Sequence, residues 1–138
     1  MSQQITVQTT VSAPLKTVWS YWTEPQHITK WNAASDDWHT PHAENDLRPG
    51  GTFLARMEAK DKSVGFDFMG TYTDVVPEKR IAYTIEDGRQ VDIVFTVEGN
   101  RVTIKETFDA EMENPPEMQR AGWQAILDRF KAYVEANK

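Results

Sequence analysis

The chain contains no cysteine. That absence removes disulfide frameworks, thiol nucleophiles and cysteine-based zinc sites together, and it is compatible with a reducing compartment. Long hydrophobic runs are missing too. No apolar stretch exceeds three residues, and Met1-Ser2-Gln3-Gln4 has neither a basic region nor an apolar core of the kind secretory leaders carry. The expectation is a cytoplasmic protein with no membrane partner. Basic charge is in short supply: 15 Lys and Arg face 21 Asp and Glu, for a net charge of −6. The average surface therefore repels nucleic acid and anionic lipid, and no basic stripe overrides that balance. Phosphate-binding glycine loops, Gly-x-Ser-x-Gly elbows and dinucleotide fingerprints do not occur, which leaves nucleotide-dependent chemistry and serine hydrolysis without support. Linkers, low-complexity segments and internal repeats are absent as well, so residues 1–138 read as one domain. A chain of this length buries roughly 68% of its unfolded surface, ample for an independent core.

What the sequence does contain is mostly period-2 alternation. Ile5, Val7, Thr9 and Val11 alternate with polar residues over Gln4 to Ser12, the pattern of a half-buried strand. After Ala13-Pro14, the residues Leu15, Val18, Trp19 and Trp22 fall at helical spacing. Thr23 and Gln26 have the spacing of a capping box for a second short helix ending near Trp31. Asn32 to Leu47 is the least regular region, with a strand expected over Asp36 to His39 and a loop after it. From Gly50-Gly51 onward hairpins dominate. Phe53, Ala55 and Met57 share one side of a strand; Val64, Phe66, Phe68, Gly70 and Tyr72 share one side of the next. Ile81, Tyr83 and Ile85 alternate up to Asp87-Gly88, a favoured hairpin dipeptide. Val91 to Val97 and Val102 to Phe108 complete the meander, whose short turns demand antiparallel neighbours.

The last segment changes period. Asn114-Pro115-Pro116-Glu117 combines a capping asparagine, first-turn prolines and an early acid, and Trp123, Ile126, Leu127, Phe130, Tyr133 and Val134 follow as an apolar stripe. One amphipathic helix is expected over Asn114 to Tyr133. Gly122 inside it costs roughly 1 kcal/mol against alanine, which points to a close approach at that position. The fold class is α+β: a curved antiparallel sheet, two short N-terminal helices and one long C-terminal helix packed on the sheet.

Ala13-Pro14 followed by Val18-Trp19, Trp31 closing the second helix, Asp46-Leu47-Arg48-Pro49-Gly50-Gly51-Thr52-Phe53 opening the meander and Gly122-Trp123 late in the chain resemble the START-like (SRPBCC) superfamily. The chain is similar to the branch that includes the C-terminal domain of the heat-shock-protein-90 ATPase activator and many small bacterial proteins. The resemblance spans nearly the whole chain and implies the helix-grip fold of Bet v 1, with a cavity between sheet and helix. It also implies a range of functions, from hydrophobic-ligand carriers through polyketide cyclases and antibiotic-resistance proteins to co-chaperones. In the activator the domain follows a separate N-terminal domain, whereas only a few residues precede the first strand here, so a chaperone partner is the remote alternative.

Within that frame the expected function is binding of a small hydrophobic or aromatic molecule, with an enzyme of cyclase or hydrolase type in the same cavity as the alternative. The candidate ligand-binding residues are Trp38, Phe53, Met57, Phe66, Phe68, Tyr72, Tyr83, Ile85, Glu106, Trp123 and Leu127. Glu106 stands out, because the alternation Val102, Ile104, Glu106, Phe108 turns its carboxylate toward the apolar side, where protonation or a partner is required. Tyr83 is the second candidate polar handle. His39 and His42, near several acids, match no recognised metal-ligand spacing; no metal and no cofactor are expected. Asp67 and Asp92 point to the opposite, solvated side of the sheet, and His27 to an exposed helix face.

Overall fold

The computed structural model describes residues 3–137. In chain order the elements are β1 (Gln4–Val11), α1 (Leu15–Thr23), α2 (Pro25–Trp31), β2 (Trp38–Asn45), β3 (Thr52–Ala59), β4 (Gly65–Val76), β5 (Arg80–Ile85), β6 (Gln90–Glu98), β7 (Arg101–Asp109) and α3 (Pro116–Asn137). The strands form one antiparallel sheet in the order β1-β7-β6-β5-β4-β3-β2, curled into a half-barrel. Six of the strands, β2 to β7, run as a simple meander. The exception is β1, which leaves the sheet through α1 and α2 and hands the chain to β2 at the far margin. The two short helices therefore span from one sheet edge to the other.

Three sequence expectations change. The region expected to loop after His39 continues as β2 up to Asn45, with a register break between His39 and His42. Its residues carry no clean alternation because it is an edge strand with much of its length in solvent. No capping box forms before α2: the Thr23 hydroxyl donates to the Trp19 carbonyl at 2.8 Å, and Glu24 occupies the cap position ahead of Pro25. Nor does Asn114 cap α3. The Pro115 carbonyl accepts from the Met118 and Gln119 amides instead, and Pro116 takes the first helical position, where a missing N–H costs nothing. The expected Asp87-Gly88 turn is present, with Gly88 at φ +93°.

The long helix lies along the free margin of β1. Arg120, Gln124 and Lys131 donate to the Thr6, Gln8 and Thr10 carbonyls at 2.9, 3.0 and 2.9 Å. These carbonyls alternate along the strand and point away from β7, so helix side chains satisfy an edge that would otherwise be open. On its inner face, Leu127, Phe130 and Val134 are fully buried in a core with Ile5, Val11, Ile104 and Phe108. Trp22 and Trp31 both meet the Phe130 ring edge-on, at 4.9 and 4.8 Å, which fixes α1 and α2 against α3. His27 is not a bare surface residue. Its ring stacks on Tyr21, and its Nδ1 lies 2.7 Å from the Tyr133 hydroxyl. Asp67 and Asp92 do face outward, each paired with an arginine on a neighbouring strand, Arg56 at 3.3 Å and Arg80 at 2.8 Å.

Candidate functional site

Core packing is complete only on the β1 side of α3. On the other side, a cavity of about 610 Å³ opens between the concave face of the sheet, α2 and the first turns of α3. All but two of the residues expected to line it do so: Trp38 from β2, Phe53 and Met57 from β3, Phe66, Phe68 and Tyr72 from β4, Tyr83 from β5, Glu106 from β7 and Trp123 from α3. The exceptions are Ile85 and Leu127. Both are buried in the hydrophobic core away from the cavity wall. Parity and helical spacing assign a side chain to a side, but they do not say how far along that side the open space extends.

The aromatic wall is held by its own contacts. Trp123 stacks on Phe108 with ring centroids 3.9 Å apart, and the Phe53 ring meets Tyr83 edge-on at 4.7 Å. Gly70 makes room for Phe53, its cross-strand partner. A Cβ at Gly70 would lie 2.6 Å from the Phe53 ring and 2.7 Å from the Thr84 carbonyl oxygen. Gly70→Ala is therefore expected to push Phe53 into the cavity and to cost about 1 to 3 kcal/mol, read as a lower urea midpoint. An unchanged midpoint would show that the ring moves aside freely.

Glu106 is 6% exposed and makes no hydrogen bond or ion pair with any described residue. Its strand neighbours in register are Val7 and Ile93, which offer it only apolar side chains. Burial pushes its carboxyl up from 4.5 to about 8, so the neutral acid predominates at neutral pH. Tyr83 is buried and likewise unpartnered. Its phenol is raised well above its ordinary range by burial first and then by the nearby Glu106. No fully enclosed side-chain polar atom lacks a hydrogen bond among the described residues. The Tyr83 hydroxyl and Glu106 carboxyl are therefore not sealed in the core; they meet the open space of the cavity.

Two polar features of the wall were not legible in the sequence. At one end, the Tyr72 hydroxyl donates to Asn45 Oδ1, while Asn45 Nδ2 donates to the Thr23 carbonyl at 2.6 Å. That relay ties β4, β2 and the end of α1 together, and it leaves the Tyr72 phenol raised by burial with Asn45 opposing the shift. At the other end, Gln119 is buried and holds the segment before α3, accepting from the Glu111 amide at 2.8 Å and donating to the Asn114 carbonyl at 2.7 Å. An amide in an edge strand and one in a helix carry no pattern that marks them in advance. Gly122 lines the cavity, yet a Cβ there would meet no atom within 4 Å. The close approach expected at this glycine is absent; what it faces is open space. Neither histidine of β2 joins a metal cluster, since no group of three or more metal-ligating side chains occurs among the described residues. His42 instead contacts Glu44 at 2.7 Å.

A curled antiparallel sheet gripping one long helix, with an aromatic cavity between them, defines a helix-grip protein of the START-like superfamily. The chain belongs to the family described as activator of Hsp90 ATPase homolog 1-like protein, whose sequence profile matches residues 12–135. The AHSA1-like protein from Aeromonas hydrophila is 46% identical, over 97% of this chain and 93% of that one, and its solution structure superimposes with a TM-score of 0.92. A protein from Cytophaga hutchinsonii is 54% identical with the same shares covered and a TM-score of 0.84. Among curated proteins there is no match. No helix among the described residues is long and apolar enough to cross a membrane.

Proposed function

We propose that this protein binds a small, largely apolar or aromatic molecule in the cavity beneath α3, with the aromatic strand residues and Trp123 as walls and Glu106 and Tyr83 as polar handles. The observation that carries this reading is the cavity itself. At roughly 24 cal/mol per Å³, a dry void of about 610 Å³ would cost about 15 kcal/mol, as much as a whole domain's stability. The space therefore holds water or a guest. Along the stretch walled by Phe53, Phe66 and Phe68 water finds no hydrogen-bonding partner, which favours the guest there. The fold family is known for ligand binding. Phe66 and Met118 line the cavity while remaining 48% and 61% exposed, so apolar surface continues from the interior to the mouth.

Native mass spectrometry of the purified protein is expected to show a species heavier than the chain by the mass of one small molecule, released on denaturation. The neutral probe N-phenyl-1-naphthylamine is expected to brighten on binding to stripped protein. A protein that carries no guest and leaves the probe dark would refute the reading.

A further inference from the structure

Apolar surface at the cavity mouth stands on two lips that differ in charge. Phe66 and Met118 line the cavity from opposite walls, the sheet and α3, and both reach solvent. Val64, 56% exposed, extends the Phe66 side into the turn between β3 and β4. Met112, 94% exposed, extends the Met118 side into the segment between β7 and α3, whose Glu111 and Asn114 also line the cavity. Four large apolar side chains around one opening are more than the scattered exposure of an ordinary surface.

On the sheet lip the turn carries Lys60 and Lys62, both exposed and neither ion-paired with a described residue. Asp61 between them is turned back into its own loop, where its carboxylate accepts from the Ser63 amide at 2.9 Å and the Ser63 hydroxyl at 2.6 Å. Asp36, within the field of Lys60, is taken by Arg129 at 2.8 Å. That leaves Asp37, whose carbonyl holds the Lys60 amide, as one carboxylate set against two lysines. On the helix lip the sign is reversed. Glu113 is exposed and pairs with no described residue, and Glu117 has only Arg120, 3.9 Å away.

We propose that this mouth is a self-complementary docking surface for a second copy of the chain. In a two-fold pair the lysine lip of each copy lies against the glutamate lip of the other, so the charge contacts and the apolar contacts each form twice, and each mouth covers its partner's. A lipid surface is the competing occupant. The helix lip decides against it, because the glutamates beside Met112 and Met118 would face its phosphate groups. A patch built on four exposed apolar side chains belongs to the small, transient class of interfaces. The pairing does not depend on what the cavity holds.

Sedimentation equilibrium of the full chain at about 0.15 M salt, where long-range repulsion between the acidic bodies is screened, is expected to show monomers and dimers with a Kd on the order of 100 μM. Reversing one lip, by Lys60→Glu with Lys62→Glu or by Glu113→Lys with Glu117→Lys, puts like charges face to face and should weaken self-association at least about tenfold. Mixing the two reversed chains sets an acidic mouth against a basic one and should restore dimers, each holding one copy of either chain. Val64→Ser with Met112→Ser removes apolar contact outside the cavity and should leave monomers. None of these residues lines the cavity, so at micromolar protein every variant should bind N-phenyl-1-naphthylamine as the original chain does. Absence of probe binding throughout would count against the proposed function and not against the pairing. A chain still monomeric at about 1 mM, dimers that survive both reversals, or a mixture that fails to recover them each overturns the inference. So does attachment to phosphatidylcholine vesicles by a chain that does not self-associate, which would give the mouth to a lipid surface instead.

Discussion

Glu106→Gln is expected to raise the stability of the protein by about 3 kcal/mol at pH 9 and to change it little at pH 4. The carboxyl titrates at about 8 in the folded chain against an ordinary value of 4.5, because folding removes it from water without supplying a cation or a donor. A raised pKa means that the folded state holds the proton more tightly. The stabilising contribution is then fully present below pH 4.5 and is lost as pH rises through about 8. The gap between the two values corresponds to about 5 kcal/mol if burial is complete; water reaching the carboxylate through the cavity returns part of this. Glutamine has nearly the same shape and never ionises. Urea denaturation of both proteins between pH 4 and 9 separates this effect from all other titrations, which the pair share. A stability difference that stays constant with pH would mean that Glu106 is solvated or paired in solution.

Gly122→Phe is expected to abolish binding of N-phenyl-1-naphthylamine, weakening it at least about 30-fold, while the protein remains folded and at least as stable. Glycine is among the poorest helix residues, and here nothing in the protein requires its lack of a side chain: a Cβ would meet no atom within 4 Å. Replacing it should favour the helix by up to about 1 kcal/mol, and the ring should fill space that now carries a packing deficit. Gly122→Ala is the control. It should stabilise the helix by a similar amount and reduce probe affinity only slightly. Undiminished probe binding by the phenylalanine variant would place the probe somewhere other than beneath α3.

How much of this was legible beforehand depends on whether a residue's role follows from its neighbours in sequence or from those in space. Phe53, Phe68 and Tyr83 belong to strands whose alternation shows directly which side faces the helix. The same parity turned Glu106 inward, and its isolation follows from Val7 and Ile93 being its partners in register. By contrast β2 was half hidden, since an edge strand containing Thr40-Pro41-His42 displays neither regular alternation nor β-rich composition. Asn45 could not be singled out because its hydrogen bonds join segments brought together only by the finished fold, and Gln119 because its bonds go to main-chain atoms of the irregular segment just before its helix, which carry no residue-type pattern. Gly122 was legible as unusual, but its cause was reversed: a missing side chain marks a close neighbour in one setting and an empty space in another. The pairing of β1 with β7 joins residues as far apart as Gln4 and Asp109, and no local signal announces it.

The placement of α3 along β1 also bears on how the molecule meets other chains. Strand addition requires a row of unclaimed backbone groups, and on this margin the outward carbonyls of Thr6, Gln8 and Thr10 are already taken. The opposite margin, β2, is interrupted by Pro41 and by a break in register. Both borders of the sheet thus discourage self-assembly through extended backbone, each by a different device. Recognition of another macromolecule would have to proceed through side chains, and those at the apolar mouth are the ones most available for it.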